Sequence, residues 1–211
     1  MYEQKFYHEV IEPTASLVKR AAENVCVAPK FSDVISLAKQ AIIATHHFRE
    51  STLKKKVTDS IGAMSDPIAE TLRQRLRDAA DSAKHGLLTN PDRYTNFAAA
   101  LAFEFDDGPK FRFMRTEIIA TSTRWGAFEV ADTIQAFLPY LMNESDIAIA
   151  LKIPHITHPF LDSADLYLTP KSGFEIQSTN VRYYKRRSDG EFFLSDPPLH
   201  QLRILEVDER T

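Results

Sequence analysis

The residues of this chain best suited to chemistry lie in one short segment, Arg77–Gly86, with the sequence RDAADSAKHG. On a helix, four of its ionisable side chains fall close to one stripe: Arg77, Asp81, Lys84 and His85. An imidazole exchanges protons near neutral pH and a guanidinium binds phosphate oxygens through its planar fork. Asp81 precedes His85 by one helical turn, so its carboxylate can orient the imidazole. This pattern is typical of a small acid–base site.

The same segment also has a purely structural explanation. Gly86 is a natural end for a helix, because glycine accepts the left-handed conformation that follows the last turn. Lys84 and His85 would then occupy the final turn, where the helix dipole favours positive charge. A solvated, salt-bridged helix face is therefore the alternative to a catalytic site.

Two helices are predicted to position these residues. The first runs over residues 33–61, where apolar side chains recur every three or four positions without Gly or Pro, and ends at Gly62. The second opens at Ser65-Asp66-Pro67, since Ser65 or Asp66 can cap it and proline suits its first position. Its predicted buried stripe is Ile68, Leu72, Leu76, Ala79, Ala80, Ala83 and Leu87.

A return of the chain near Gly62 would bring two further histidines to the same level. His46 lies about 16 residues before that turn, or about 25 Å along the first helix. His85 lies about 19 residues along the second helix, or about 28 Å. We therefore expect His46 or His47 to face the region of Lys84 and His85, with Asp78 as a neighbour.

This helical pair resembles the HEPN superfamily, whose late helix carries Arg followed by Asp or Asn, a short polar interval, and then Lys-His. The matching residues are Arg77, Asp78, Lys84 and His85, and the resemblance covers residues 30–90. Asp78 stands where Asn is common in the family, and the interval between Arg77 and His85 is longer than usual. The resemblance implies a helical bundle that dimerises and that, in many members, cleaves RNA without metal.

The resemblance also implies roles for these residues in RNA cleavage. Arg77 would hold the phosphate, His85 would act as acid or base with Asp81 orienting it, and Lys84 would stabilise charge in the transition state. We therefore expect a bacterial defence or toxin-type protein that binds or cleaves RNA. The alternative is a non-catalytic interaction or scaffold subunit that uses the helical pair as a homodimer or protein-partner interface.

A second candidate for RNA contact is the segment Arg182-Tyr183-Tyr184-Lys185-Arg186-Arg187. Tyrosine rings can stack on bases while Arg and Lys contact phosphates. Asp189-Gly190 and the following Glu191–Leu194 indicate that the segment forms one strand of a hairpin. The structural alternative is a charged strand that discourages edge-to-edge aggregation.

Metal and cofactor sites have less support in the sequence. His155 and His158 have a possible ligand spacing, with Asp162 and Asp165 nearby, but Pro154 and Pro159 favour an ordinary surface loop. The glycines are isolated from one another, which argues against phosphate-binding and dinucleotide-binding loops. We predict neither a metal nor a cofactor.

The composition is that of an ordinary globular protein. The 211 residues are 44% hydrophobic and 26% charged, with a net charge of -3 that gives no overall signal for nucleic acid. Cys26 is the only cysteine and is expected to be a small buried apolar residue. The N-terminus lacks a signal-peptide pattern and no apolar run is long enough to span a membrane. These features predict a cytoplasmic protein without membrane contact.

The predicted fold class is α+β. An N-terminal helical bundle over residues 1–90 is followed by a β-hairpin and an amphipathic helix over 91–144, and then by a β-rich part over 145–211. The hairpin strands are expected at 97–105 and 110–119, and the helix at 127–142. The last two parts can also form one domain.

Overall fold

A computed structural model describes residues 2–23, 31–53, 62–86, 88–106, 110–161, 166–168, 180–196 and 202–204. The helices are α1 (Tyr2–Phe6), a π-helical segment (Tyr7–Ile11), α2 (Glu12–Ala22), α3 (Phe31–Leu53), α4 (Pro67–His85), a 3-10 turn (Pro91–Arg93) and α5 (Val130–Glu144). The strands are β1 (Thr95–Phe105), β2 (Phe111–Ser122), β3 (Gly126–Glu129), β4 (Leu166–Leu168), β5 (Asn180–Arg186), β6 (Phe192–Leu194) and β7 (Leu202–Ile204). Helices come first and strands follow, which confirms the α+β class.

The strands form two sheets. A five-stranded mixed sheet has the order β3-β2-β1-β5-β6, and β4 pairs with β7 in a parallel two-stranded sheet. Strand β1 pairs with β5 in parallel, with Ala102 opposite Arg182 and Glu104 opposite Tyr184. The hairpin predicted around Asp189-Gly190 is confirmed, because β5 and β6 are antiparallel with Lys185 opposite Phe193.

The described chain divides into two compact units. Unit 1 comprises residues 1–20, 32–98 and 118–155, and unit 2 comprises 21–31, 99–117 and 156–211. Strands β1 and β2 each contribute residues to both units. The division into domains at residues 90 and 144 stays a prediction.

Helix α4 begins and ends where its local sequence predicts. Asp66 is the cap: its Oδ1 accepts hydrogen bonds from the N–H groups of Ile68 at 2.8 Å and Ala69 at 2.9 Å. Pro67 takes the first helical position, and Gly86 follows the last turn with φ 68°. The Gly86 N–H donates to the carbonyl of Ser82 at 3.0 Å, which satisfies one of the terminal carbonyls.

The buried face of α4 differs from the predicted stripe. Leu76, Ala79 and Ala80 are buried as expected, but Ile68 is 64% exposed. Arg73, Arg77 and Asp78 are buried instead. The pattern of apolar residues does not predict the burial of these three charged residues. Each of them forms an ion pair in the folded chain.

Other boundaries shift by a few residues, or lie outside the described chain. Helix α5 begins at Val130 rather than at 127, because Ala127, Phe128 and Glu129 belong to β3 and pair with β2. The predicted continuation of α3 through 54–61 and the environment of Cys26 lie outside the described residues. Among the described helices, none combines the length and the apolar character that a bilayer span requires.

The apolar core of unit 2 lies on one face of the sheet. Its buried members come from β1 and β2, and partly buried side chains of Phe31, Val181 and Tyr183 pack against them. The core residues are Leu101, Phe103, Phe105, Phe111 and Phe113. Because side chains alternate along a strand, Ala102 and Glu104 occupy the opposite face of β1, and both are buried as well.

Candidate functional site

The predicted catalytic stripe lies on the C-terminal half of α4, and its members have different environments. Arg77 is buried, and its Nε lies 3.9 Å from Oδ2 of Asp81. His85 is exposed in the last turn, and Lys84 is partly buried. The guanidinium and the imidazole that the HEPN resemblance pairs therefore differ sharply in their access to solvent.

The Asp81 carboxylate is bound by a residue that the sequence did not single out. Arg93, at the end of the 3-10 turn, donates from Nε to Oδ1 of Asp78 at 2.6 Å and from Nη2 to Oδ2 of Asp81. Burial alone would lower the pKa of Arg93, but its hydrogen bonds and charge interactions with the two carboxylates outweigh this and raise it. Asp81 is thus engaged by a guanidinium, whereas the sequence assigned it to orienting His85.

Asp78 joins α4 to two other parts of unit 1. Its side chain is 1% exposed, and its Oδ2 accepts a hydrogen bond from the indole N–H of Trp125 at 2.9 Å. Arg124 Nη1 lies 3.7 Å from the same oxygen. Trp125, in the turn before β3, is in this way tied to α4. An aspartate rather than an asparagine suits this position, because two arginines share the carboxylate charge.

The electrostatic environment of His46 combines groups from α3 and α4. This residue of α3 is 7% exposed, and its Nε2 lies 3.7 Å from Oε1 of Glu50. Burial lowers the pKa of His46 to about 4, and the charges of Glu50, Asp81 and Lys84 act on it as well. At neutral pH the imidazole is therefore neutral, and it lies within electrostatic range of α4.

Glu50 is a further residue that sequence reasoning missed. Its Oε2 lies 3.0 Å from Nδ1 of the exposed His47, so the Glu50 carboxylate lies close to the imidazoles of both His46 and His47. The signal was present in the sequence, since Glu50 follows His46 by four residues and His47 by three. Glu50 is thus the immediate partner of His46, while the charges of Asp81 and Lys84 act on the imidazole from α4.

The basic hairpin segment is bound largely to the sheet of unit 2. Arg182 Nη1 donates to Oε2 of Glu117 at 2.6 Å, and the Tyr184 hydroxyl donates to the same carboxylate at 3.0 Å. Arg186 Nε donates to Oε1 of Glu104 at 3.2 Å. The remaining members are placed differently: Tyr183 packs on the apolar core, the Arg187 guanidinium lies 5.3 Å from the Phe193 ring centroid, and Lys185 is partly buried.

Glu104 and Glu117 are the partners that the sequence did not reveal. They are 3% and 2% exposed and stand in strands that otherwise read as apolar. A carboxylate inside such a run is a usable signal, because burial of a charge demands a partner of opposite sign. The partners Arg182 and Arg186 come from β5, a strand far away in the sequence, which local spacing does not identify.

The histidines of the 154–159 segment are placed as ordinary loop residues. His158 Nε2 lies 2.7 Å from the carbonyl oxygen of Ala22, and its ring lies 5.4 Å from that of Phe113. Asp162 and Asp165 lie outside the described residues. Within the described chain, no three His, Cys, Asp or Glu side chains are grouped as metal ligands would be.

Comparison with known proteins gives this chain no relatives. No protein-family model, no curated protein and no solved structure matches it. The resemblance to the HEPN superfamily stays a prediction based on the residues of α4.

Proposed function

We propose that this chain is a non-catalytic interaction subunit, in which the charged residues at the end of α4 serve the fold. The observation that carries the proposal is the Asp78 carboxylate, which is 1% exposed and bound by Arg93 and Trp125. Both partners belong to other elements of unit 1. The Asp78 carboxylate therefore connects α4 to the 3-10 turn and to the turn that holds Trp125.

The engagement of the cations on this face supports the same proposal. A guanidinium that binds phosphate must offer both its charge and its donors to the ligand. Arg93 directs two nitrogens to Asp78 and Asp81, and the buried Arg77 lies beside Asp81 as well. Because these guanidiniums already pair with carboxylates, a phosphate should bind them less strongly than it binds an arginine without such a partner.

The partner proposed for this subunit is a second copy of the chain or another protein, bound through the surface of the α3–α4 pair in the cytoplasm. Ile68 supports this surface, since it is a large apolar side chain, 64% exposed, in the first turn of α4. Single exposed apolar residues are common, so the surface needs its own test by measurement of the oligomeric state.

Metal-independent RNA cleavage is the second candidate, and His46 is the observation that favours it. A neutral imidazole lies within electrostatic range of the Asp81 carboxylate and the Lys84 ammonium. A neutral imidazole can accept the proton of a ribose 2′-hydroxyl, and a nearby ammonium can stabilise phosphate charge. In this candidate Arg77 binds the phosphate and His85 is the acid.

The two candidates are separated by incubating the purified full chain with mixed RNA, with and without EDTA. The variants are His85→Ala and His46→Ala, and the matched control is His8→Ala, an exposed histidine near the N-terminus that pairs with Glu12. An interaction subunit gives no RNA cleavage above the buffer blank in any sample. EDTA-resistant cleavage that His85→Ala abolishes and His8→Ala leaves intact would replace the first candidate with the second.

A further inference from the structure

The β5–β6 hairpin differs from β1, the strand beside it, in how deeply its side chains are buried. Every residue of β1 from Ala99 to Phe105 is at most 5% exposed. By contrast, each side chain described in residues 181–196 is exposed or partly exposed. Burial, which is the main stabilising contribution in a sheet, is therefore concentrated in β1 and β2 rather than in the hairpin.

Backbone pairing and a few apolar contacts attach the hairpin to β1. The register sets residues 180–184 parallel to residues 100–104. Parallel pairing is slightly weaker for each residue than antiparallel pairing. Val181 and Tyr183 lie partly buried against the apolar core, whereas the fully buried core residues all belong to β1 and β2. This attachment is therefore weaker than the packing that holds β1 and β2 together.

Two buried carboxylates add to the attachment. Glu117 is 2% exposed and accepts hydrogen bonds from Arg182 at 2.6 Å and from the Tyr184 hydroxyl at 3.0 Å. Glu104 is 3% exposed and accepts a hydrogen bond from Arg186 at 3.2 Å. Because a buried carboxylate that loses a hydrogen-bond partner is costly, these contacts favour the arrangement in which the hairpin lies on the sheet.

The hairpin also has interactions of its own that do not depend on the sheet. Strands β5 and β6 are antiparallel, and the Arg187 N–H donates to the carbonyl of Glu191 at 2.8 Å. The guanidiniums of Arg186 and Arg187 lie 4.5 Å and 5.3 Å from the ring centroids of Phe192 and Phe193. Separation from β1 breaks none of these contacts, so the two strands can move as one unit.

We propose that the β5–β6 hairpin is a releasable cover of β1, which opens as a unit while β1 and β2 stay folded. Opening separates the hairpin from residues 100–104 and from the carboxylates of Glu104 and Glu117, and it exposes the pairing edge of β1. The contacts between arginine and glutamate control how often the hairpin opens, because they form only in the closed state. This device goes beyond the proposed function, since it lies in unit 2 and does not involve the α3–α4 surface.

Native-state hydrogen exchange of the full chain, followed by mass spectrometry at several low urea concentrations, tests the proposal. The exchange of residues 181–194 is compared with that of residues 111–117 of β2, after correction for intrinsic rates. Arg182→Gln removes a contact made only in the closed state, and Arg182→Lys keeps the charge there. The matched control is Arg187→Gln, because this guanidinium lies against Phe193 within the hairpin. Thermal unfolding of each variant verifies that it is folded.

We expect the hairpin amides to exchange at least about tenfold faster than those of β2, with a smaller dependence on urea. Arg182→Gln should increase hairpin exchange at least about tenfold more, Arg182→Lys should increase it less, and Arg187→Gln should change it less than about twofold. Equal exchange in the hairpin and in β2 at every urea concentration would mean that only global unfolding releases the hairpin, and the proposal would be overturned. An effect of Arg187→Gln as large as that of Arg182→Gln would also overturn it, since the contacts with the sheet would then not control the opening.

Discussion

The imidazole of His46 is removed from water and lies next to several ionisable groups. Glu50 and His47 act on its charge from α3, and Asp81 and Lys84 act from α4, while burial is the largest influence. The pKa falls from its ordinary value of 6.5 to about 4. A histidine that the sequence places as a possible neighbour of the predicted site is therefore held neutral by its surroundings over most of the physiological pH range.

This environment predicts a loss of stability in mild acid. Above pH 6.5 His46 is neutral in both states and contributes no pH dependence. Between pH 6.5 and about 4 the His46 imidazole binds a proton in the unfolded chain but not in the folded chain. The free energy of unfolding therefore falls by up to about 3 kcal/mol. Urea unfolding of the wild type and His46→Gln at several pH values over this range measures the effect. The free energy of unfolding of the variant should fall less between pH 6.5 and pH 4, by up to about 3 kcal/mol.

His8→Gln is the control for this experiment, because His8 is exposed and paired with Glu12 near the surface. The free energy of unfolding of His8→Gln should depend on pH nearly as that of the wild type does. An equal pH dependence for the wild type and His46→Gln would show that the pKa of His46 is not lowered in the folded protein.

At the scale of elements, helix α4 depends on its cap. The sequence left Ser65 and Asp66 as alternatives, and the structure places the two cap hydrogen bonds on Asp66. Asp66→Ala should lower the free energy of unfolding by about 1 kcal/mol, because two N–H groups of the first turn lose their acceptor. Ser65→Ala, at the adjacent exposed position, should lower it by less than about 0.5 kcal/mol. Chemical denaturation checks both values, and a reversed order would place the cap at Ser65.

Local signals were sufficient for elements whose ends are encoded within a few residues. The cap at Ser65 or Asp66, the end at Gly86 and the hairpin at Asp189-Gly190 depend on neighbours in sequence and are predicted from it, and the structure selects Asp66 as the cap. The sequence predicts helix from residue 127, but Ala127, Phe128 and Glu129 belong to β3, and the strand structure of these residues depends on pairing with β2. The parallel pairing of β1 with β5 joins segments far apart in the chain, which no local pattern specifies.

At the scale of the whole molecule, the ion pairs and hydrogen bonds between distant segments could not be predicted from the sequence. Arg93 and Trp125 reach Asp78 from segments 15 and 47 residues away. Glu104 and Arg186 are 82 residues apart. Spacing rules within one helix find ion pairs such as Arg77–Asp81, but partners at these larger separations are fixed by the tertiary fold.

The proposed homodimer is also a property of the whole molecule. If the α3–α4 surface forms it, Ile68→Glu should shift the chain from twice the monomer mass to the monomer mass, because a charge would be buried at the interface. Light scattering coupled to gel filtration measures this. Leu151→Glu, which changes a 38% exposed residue outside the helical pair, serves as the control and should leave the mass unchanged. A monomeric wild type, or a dimer indifferent to Ile68→Glu, argues against this surface.

A double-mutant cycle between Asp78 and Arg93 tests whether the charged residues of α4 stabilise the fold. The cycle compares Asp78→Asn, Arg93→Gln and the double variant by urea unfolding. We predict a coupling free energy of at least about 1.5 kcal/mol, since the Asp78 carboxylate is 1% exposed and accepts a hydrogen bond from Arg93 at 2.6 Å. A coupling near zero, with the single variants as stable as the wild type, would contradict the account.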